Sequence, residues 1–301
     1  MNYDQLTTEE RNEKTMNLDL MPISEILHIM NREDLEVVKS IEKILPTVEK
    51  VIEKVVKNFM NGGRLFYVGA GTSGRLGMLD ASECPPTFMS DPELVQLVMA
   101  GGQNAFFQAV ENAEDLLEDG IVKLKEKNIT QWDSVIGITA SGSTPFVMGA
   151  LQYAKSVGAF TVSLTSNLNS EISSHVDEAI EVVVGPEILT GSTRLKAATS
   201  HKMILNMIST ASMVQLGKAY ENLMVDVHAS NKKLIERAKR IVIMATGCKY
   251  EVAEETLNRT KFAVKPAIVM LKTNQDYEQV IRALEQVNGH TRKAILLLTS
   301  S

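Results

Sequence analysis

Residues 66–88 read FYVGAGTSGRLGMLDASECPPTF, an apolar run that passes through glycines into a stretch with helical spacing. A strand pattern that becomes a helix pattern across a glycine-rich turn is the opening of a βα unit in a parallel sheet. Gly69, Gly71 and Gly74 stand at the spacing of a dinucleotide fingerprint. Such a site also needs an acidic residue about 20 positions on, at the end of the second strand, for the ribose hydroxyls. Asp91 and Glu93 fall before the next strand-like run instead, and Pro85 and Pro86 are expected to end the helix early. The glycines read better as a turn exposing backbone N–H groups at a helix start. Thr72 and Ser73 add hydroxyls there, which suits phosphate.

Outward from this unit the βα alternation continues. The runs at 93–100, 134–141, 160–166 and 179–185 read as further buried strands, with helix-like stretches near 103–127 and 145–157 and a long one from 194 to 220. Continuous apolar strands separated by helices indicate an α/β fold, a parallel sheet covered on both faces, with ligands at the carboxyl ends of the strands. Residues 1–20 read as an extended arm. Two helices interrupted by Pro46 are expected after it, ending at Asn61-Gly62-Gly63. After about Tyr220 only short helices follow. The organisation expected is an arm with helices over 1–54, a parallel-sheet domain over 55–220 and a small helical subdomain over 221–301.

The composition narrows the function. At 301 residues and a formal charge of -6, the chain lacks the basic balance of a general nucleic-acid binder. Its two cysteines, Cys84 and Cys248, suit a reducing compartment and exclude a disulfide framework. The polar, acidic start is unlike a signal peptide, and no apolar run nears the roughly 20 residues needed to span a bilayer. A cytoplasmic protein with no membrane or nucleic-acid partner is expected.

Two more loops carry phosphate chemistry. TASGSTP, residues 139–145, crowds the hydroxyls of Thr139, Ser141, Ser143 and Thr144 around Gly142, just ahead of a helix that begins with Pro145. One hydroxyl would serve as an N-cap; four exceed what a cap requires. TGSTRLKAATSHK, residues 190–202, gathers Ser192, Thr193, Arg194 and Lys196. The basic residues are either an anchor for an anionic substrate or a solvated helix face.

Helical periodicity over 103–127 puts Glu114 inside an apolar stripe formed by Phe106, Phe107, Val110, Ala113, Leu117, Ile121 and Leu124. Burial there would raise its pKa and fit it for proton transfer. On the helix after Gly74, Leu76, Leu79 and Glu83 share a face, with Asp80 beside them. Glu83 and Glu114 are thus candidate catalytic carboxylates, with salt bridges as the plainer alternative; Asp80 is equally a structural acceptor. The five histidines show no ligand pairing, so metal catalysis is not expected.

The motifs VGAGTSGRLGMLDASECPPTF, VENAED, TASGSTPFV and TGSTRLKA together resemble the N-acetylmuramate 6-phosphate etherase family, which has the sugar-isomerase (SIS) phosphosugar-binding fold. The resemblance runs over nearly the whole chain. It departs at Ala198, where the family pattern carries glycine. It implies cleavage of the lactyl ether of N-acetylmuramate 6-phosphate to N-acetylglucosamine 6-phosphate and D-lactate, in peptidoglycan sugar metabolism, by a homodimer without cofactor. It also implies that Glu83 is the proton donor to departing lactate and Glu114 the second carboxylate, assigned to C2 deprotonation, the two roles being exchangeable. The hydroxyls of 139–144 would hold the 6-phosphate. The alternatives within the fold are a phosphosugar isomerase and a non-catalytic sensor resembling the regulatory protein of glucokinase.

Overall fold

The computed structural model describes residues 6–108, 110–227 and 231–300. Its centre is a parallel sheet of five strands: β1 (Leu65–Gly69), β2 (Val95–Met99), β3 (Ser134–Ile138), β4 (Phe160–Thr165) and β5 (Glu178–Glu181), in the order β2-β1-β3-β4-β5. Every adjacent pair is parallel, with Gly69 level with both Met99 and Ile138. The inner strands are buried on both faces, which explains why they read as unbroken apolar runs. In this order the winding reverses between β1 and β3. The crevice outside their carboxyl ends is therefore where a ligand is accommodated.

Five helices accompany the sheet: α1 (Ile23–Met60), α2 (Gly71–Phe88), α3 (Leu117–Lys125), α4 (Pro145–Ser156) and α5 (Lys196–Gln215). Phe66, Val68 and Val135 pack with Leu124 of α3 and Phe146, Val147 and Leu151 of α4 in one core on one face. On the other face, Gly77 of α2 lies so close to the sheet that a Cβ there would sit 3.0 Å from Tyr67 and Leu97 side-chain atoms. The chain divides into two compact units, and the division falls inside α2 and α5. One comprises the chain up to Ala81 with Glu93–Ser209, the other Ser82–Pro92 with the chain from Thr210 onward. The second unit carries a small antiparallel hairpin, β6 (Ala219–Tyr220) with β7 (Leu223–Met224), and the helices α6 (Lys232–Thr246), α7 (Tyr250–Arg259), α8 (Val264–Thr273), α9 (Tyr277–Gln286) and α10 (Thr291–Thr299). Val242, Ala253, Leu257, Ala267 and Ile268 form part of its core. Among the described residues no helix is long and apolar enough to cross a membrane.

Three expectations about helices fail. Pro46 does not divide α1, which runs through it as one helix of 38 residues. The proline is exposed, while Val37, Ile41, Val48, Val51 and Val55 bury one continuous face on either side of it. Packing of that face outweighs one missing backbone hydrogen bond. Pro85 and Pro86 likewise lie inside α2, in its last turn, and the helix closes only at Met89, whose left-handed φ of 47° acts as a stop. The stretch 103–127 is not one helix. It holds short 3-10 turns at Gly102–Phe106 and Ala113–Asp115 and turns helical only in α3. Asn112 takes a left-handed φ of 58°, and the guanidinium of Arg75 donates to the carbonyls of Ala105 (2.9 Å) and Phe106 (3.1 Å), acceptors that a continuous helix would have used.

A buried histidine ties α5 to the turn after β4. His201 Nε2 lies 3.0 Å from Ser166 Oγ. Burial drives its pKa down to about 4, against a smaller opposing pull from a hydrogen bond to the Thr165 backbone. The folded chain thus holds this imidazole neutral, whereas the unfolded chain takes up a proton near the ordinary value of about 6.5. Its contribution is complete above pH 6.5 and lost as pH falls from there toward 4. Between pH 7 and pH 5 this group alone costs the fold about 2 kcal/mol. Urea unfolding at the two pH values should show that difference shrinking by about this amount in His201→Gln; an unchanged difference would discount the histidine.

Candidate active site

The loop between β3 and α4 is built from hydroxyls that bond to one another. Thr139 Oγ1 lies 2.7 Å from Thr144 Oγ1 and 3.2 Å from Ser141 Oγ, and Ser143 Oγ donates to Ser141 Oγ at 3.1 Å. Backbone N–H groups of Gly142 and Ser143 reach Thr139 Oγ1 and Ser141 Oγ, each at 3.3 Å. Gly142 has a φ of 78°, and a Cβ on it would stand 2.2 Å from Ser170 Cβ; only glycine fits both demands. The loop is held from the β4 side, where Thr139 N donates to Leu164 O (3.0 Å), Ser166 N to Ala140 O (3.1 Å) and Ile172 N to Gly142 O (3.1 Å).

Plain capping does not account for these hydroxyls. Thr144 is the N-cap of α4, yet its side chain makes no capping bond, because it turns back to Thr139. The N–H groups at the start of α4 are thus left without a side-chain acceptor, and with the helix dipole they favour an anion there. The start of α5 differs. Glu187 accepts from the backbone N–H groups of Lys196 and Ala197, each at 3.0 Å, so an internal anion already occupies that terminus. Burial raises the Glu187 pKa, with the two N–H groups opposing.

The other side chains expected at the site divide. Thr72 and Ser73 lie half-buried in the first turn of α2. Gly69 and Gly74 let that turn press on the strand: a Cβ on Gly74 would be 2.9 Å from Gly69 O. Ser192 and Thr193 are half-buried and Arg194 is exposed. Lys196 is not an open anchor. Its side chain is buried, and Nζ sits 2.7 Å from Glu33 Oε2, so its charge is committed inside the protein. Glu33 also takes Lys14 Nζ at 2.7 Å and Asn12 Nδ2 at 3.0 Å. Burial alone would raise its pKa; the hydrogen bonds from Lys14, Lys196 and Asn12 bring it down to about 2.

Neither candidate carboxylate lies on an inward face. Glu114 is exposed on the turn Ala113–Asp115, and the stripe expected around it does not form, since Phe107 is 93% exposed. It reaches a pocket by another route: with Ala70, Gly71, Arg75 and Glu111 it lines a space of about 250 Å³ beyond the carboxyl ends of β1 and β2. Glu83 is also exposed. The inward face of α2 is one residue off the expected one and runs through Gly74, Gly77, Asp80, Ala81 and Cys84. The buried carboxylate is therefore Asp80, the structural acceptor, taking hydrogen bonds from Tyr67 Oη (2.7 Å), Asn206 Nδ2 (2.6 Å) and Ser209 Oγ (2.9 Å). Burial raises its pKa and these three donors oppose the rise. Among the described residues no group of three or more His, Cys, Asp or Glu side chains is placed to hold a metal ion.

Asn167 and Glu33 each hold a loop of the site and are not singled out by the sequence, while Arg75, a candidate salt-bridge partner there, instead holds the carbonyls of Ala105 and Phe106. Asn167 lies at the carboxyl end of β4, where the general rule for such sheets could have flagged it; Glu33 stands within the periodicity of α1 and gave no signal.

Comparison with known proteins agrees with this architecture. Residues 47–155 match the glucokinase regulatory protein N-terminal SIS domain, residues 106–211 the SIS domain, and residues 221–299 the C-terminal lid domain of glucokinase regulatory protein. A phosphoheptose isomerase from Francisella tularensis shares the fold, with a TM-score of 0.51 at 18% identity over 65% of this chain and 100% of its own. N-acetylmuramic acid 6-phosphate etherase 2 of Lactiplantibacillus plantarum is 52% identical over 98% of this chain and 100% of its own length. The N-acetylmuramic acid 6-phosphate etherase of Bacillus cereus is 53% identical over 97% of this chain and 99% of its own. At that identity along the full chain, the protein belongs to the N-acetylmuramic acid 6-phosphate etherase family, within the SIS fold.

Proposed function

We propose that this protein cleaves the D-lactyl ether of N-acetylmuramate 6-phosphate, giving N-acetylglucosamine 6-phosphate and D-lactate. The observation that carries the reading is the hydroxyl loop at 139–144 ahead of an α4 terminus with no side-chain cap, in a chain so close to etherases over its full length. Ser141, Ser143 and Thr144, with Thr139 beneath them, hold the 6-phosphate. Thr72 and Ser73 at the start of α2 face the sugar. Ser192 contributes a hydroxyl, whereas Lys196, paired with Glu33, acts by fixing its turn rather than by touching substrate. The residues from 55 to 220 supply this site, with 1–54 and 221–301 attached to it.

An alkoxide is a poor leaving group, so the chemistry starts one carbon away. In the open-chain sugar, C2 lies next to the C1 aldehyde, and removal of its proton leaves an enolate-type anion. The electron pair then forms the C2–C3 double bond, the C3–O bond breaks, and lactate leaves with a proton from an acid. Water adds back at C3, and C2 is reprotonated. One base and one acid suffice. Glu114 is assigned to C2 and Glu83 to the lactyl oxygen. No cofactor enters these steps.

The long helix α1 offers a surface for a second copy. Ile23, Leu27, Val38 and Leu45 are exposed along it, beside the stripe that the chain buries for itself. An open apolar seam of that length on a helix marks a protein contact, and we assign it to a homodimer. Its phosphorylated substrate suits action in the cytoplasm.

Turnover in oxygen-18 water should give unlabelled D-lactate and aminosugar phosphate labelled at C3; label in lactate would mean another bond is cut. In deuterium oxide, Glu83→Gln should still exchange the C2 proton while losing lactate release by about 10²–10⁴-fold, with phosphosugar binding kept. Glu114→Gln should lose both. The opposite pattern would exchange the two roles, and full turnover in either variant would remove that residue. For the seam, Leu27→Glu with Val38→Glu should shift the mass seen by light scattering from dimer to monomer; an unaltered dimer would place the contact elsewhere.

A further inference from the structure

The segment between Leu6 and Leu20 is joined to the site by two chains of polar contacts. In the first, Asn167 Nδ2 donates to Thr8 Oγ1 at 3.3 Å and to Ala140 O at 2.9 Å, and lies 3.5 Å from Ser141 O. Thr8 and Asn167 are both buried, and Asn167 Oδ1 finds no donor among the described residues. In the second, Asn12 Nδ2 bonds Glu33 Oε2 and reaches Pro186 O at 3.3 Å, Lys14 Nζ bonds Glu33 Oε1, and Thr15 Oγ1 donates to Ile188 O at 2.9 Å. Glu33 then holds Lys196, and Glu187, between Pro186 and Ile188, holds the first turn of α5.

Both chains end on substrate loops and not in the core. The first ends on the carbonyls of Ala140 and Ser141, inside the hydroxyl loop. The second ends on the turn at 190–196. From this we infer that Thr8, Asn167 and Glu33 are positioning residues, through which the N-terminal arm sets the geometry of both phosphosugar loops. The inference rests on the assignment of the hydroxyl loop to the 6-phosphate. The loop has a physical need for such support. It presents hydroxyl dipoles, and dipoles stabilise an anion well only when their orientation is fixed in advance. The hydroxyls of Thr139, Ser141 and Thr144 bond to one another, so their placement is only as fixed as the backbone that carries them, and that backbone has to be held. Asn167 does this from one side while it engages the arm on the other, and its own oxygen goes unsatisfied in that position.

The test separates binding from turnover. Calorimetric titration with inorganic phosphate and with N-acetylglucosamine 6-phosphate should show both binding about tenfold more weakly to Thr8→Val than to the parent protein. KM for N-acetylmuramate 6-phosphate should rise in parallel with kcat within twofold, since a contact made equally in ground and transition state acts on KM. Thr15→Val, which removes the arm's bond to Ile188 O in the second chain, should repeat the pattern. Thr8→Val replaces one hydroxyl by a methyl of the same shape, and titration at a temperature well below its own melting transition keeps a loss of binding from being laid to unfolding. Parent-like dissociation constants and KM in both variants, or a fall in kcat at unchanged KM, would overturn the inference. If the parent protein itself binds neither probe, the phosphosugar reading of the loop fails, and the inference with it.

Discussion

Asp80 accepts hydrogen bonds from Tyr67 on β1 and from Asn206 and Ser209 on α5, and through these contacts it fixes how α2 lies on the sheet. A carboxylate removed from water is costly unless donors replace its hydration. Here three side chains from two other elements do so, and each would be left without its acceptor if the helix turned or slid. The rotation of α2 follows: Gly74, Gly77, Ala81 and Cys84 face inward, so the helix lies close to the strands and its first turn meets the end of β1. Thr72 and Ser73 at the start of the helix inherit their positions from that arrangement.

The sheet was legible in the sequence because strands buried on both faces leave largely apolar runs, and β1 to β4 fall within such runs; β5, half-buried at the sheet edge with a glutamate at each end, only overlaps the run expected at 179–185. The loop at 139–144 stood out for a related reason: four hydroxyls and a glycine crowd there at the carboxyl end of β3. What misled was the assumption that large apolar side chains mark the inward face. On α2 the packed face consists of small residues, and Leu79 and Met78 are exposed, so Glu83 was placed inside and Asp80 beside it when the reverse holds. Around Glu114 a convincing helical period exists without a helix. Its carbonyls are claimed by Arg75 from another element, a tertiary contact that local periodicity cannot report. Lys196 is a third case of this kind, since its partner Glu33 lies far away in sequence.

The two polar loops use electrostatics in opposite ways. At 190–196 the full charges of Lys196, Glu33, Lys14 and Glu187 neutralise one another within the fold, and the charge of Arg194 is exposed. At 139–144 there is no ionisable side chain, only hydroxyls and the dipole of α4. An anion held there would be met without a cation set against it, and without the cost of desolvating a cation whenever the loop is empty.

The shared carboxylate of Glu33 also constrains how this chain can vary over generations. Lys196 is buried and depends on Glu33 for its counter-charge, whereas Lys14 reaches the same carboxylate from an exposed position. Loss of Lys14 leaves a buried pair still balanced, but loss of Glu33 strands the buried ammonium of Lys196. Drift can pass through position 14 in single steps. Positions 33 and 196 have to change in the same lineage, nearly together, or not at all.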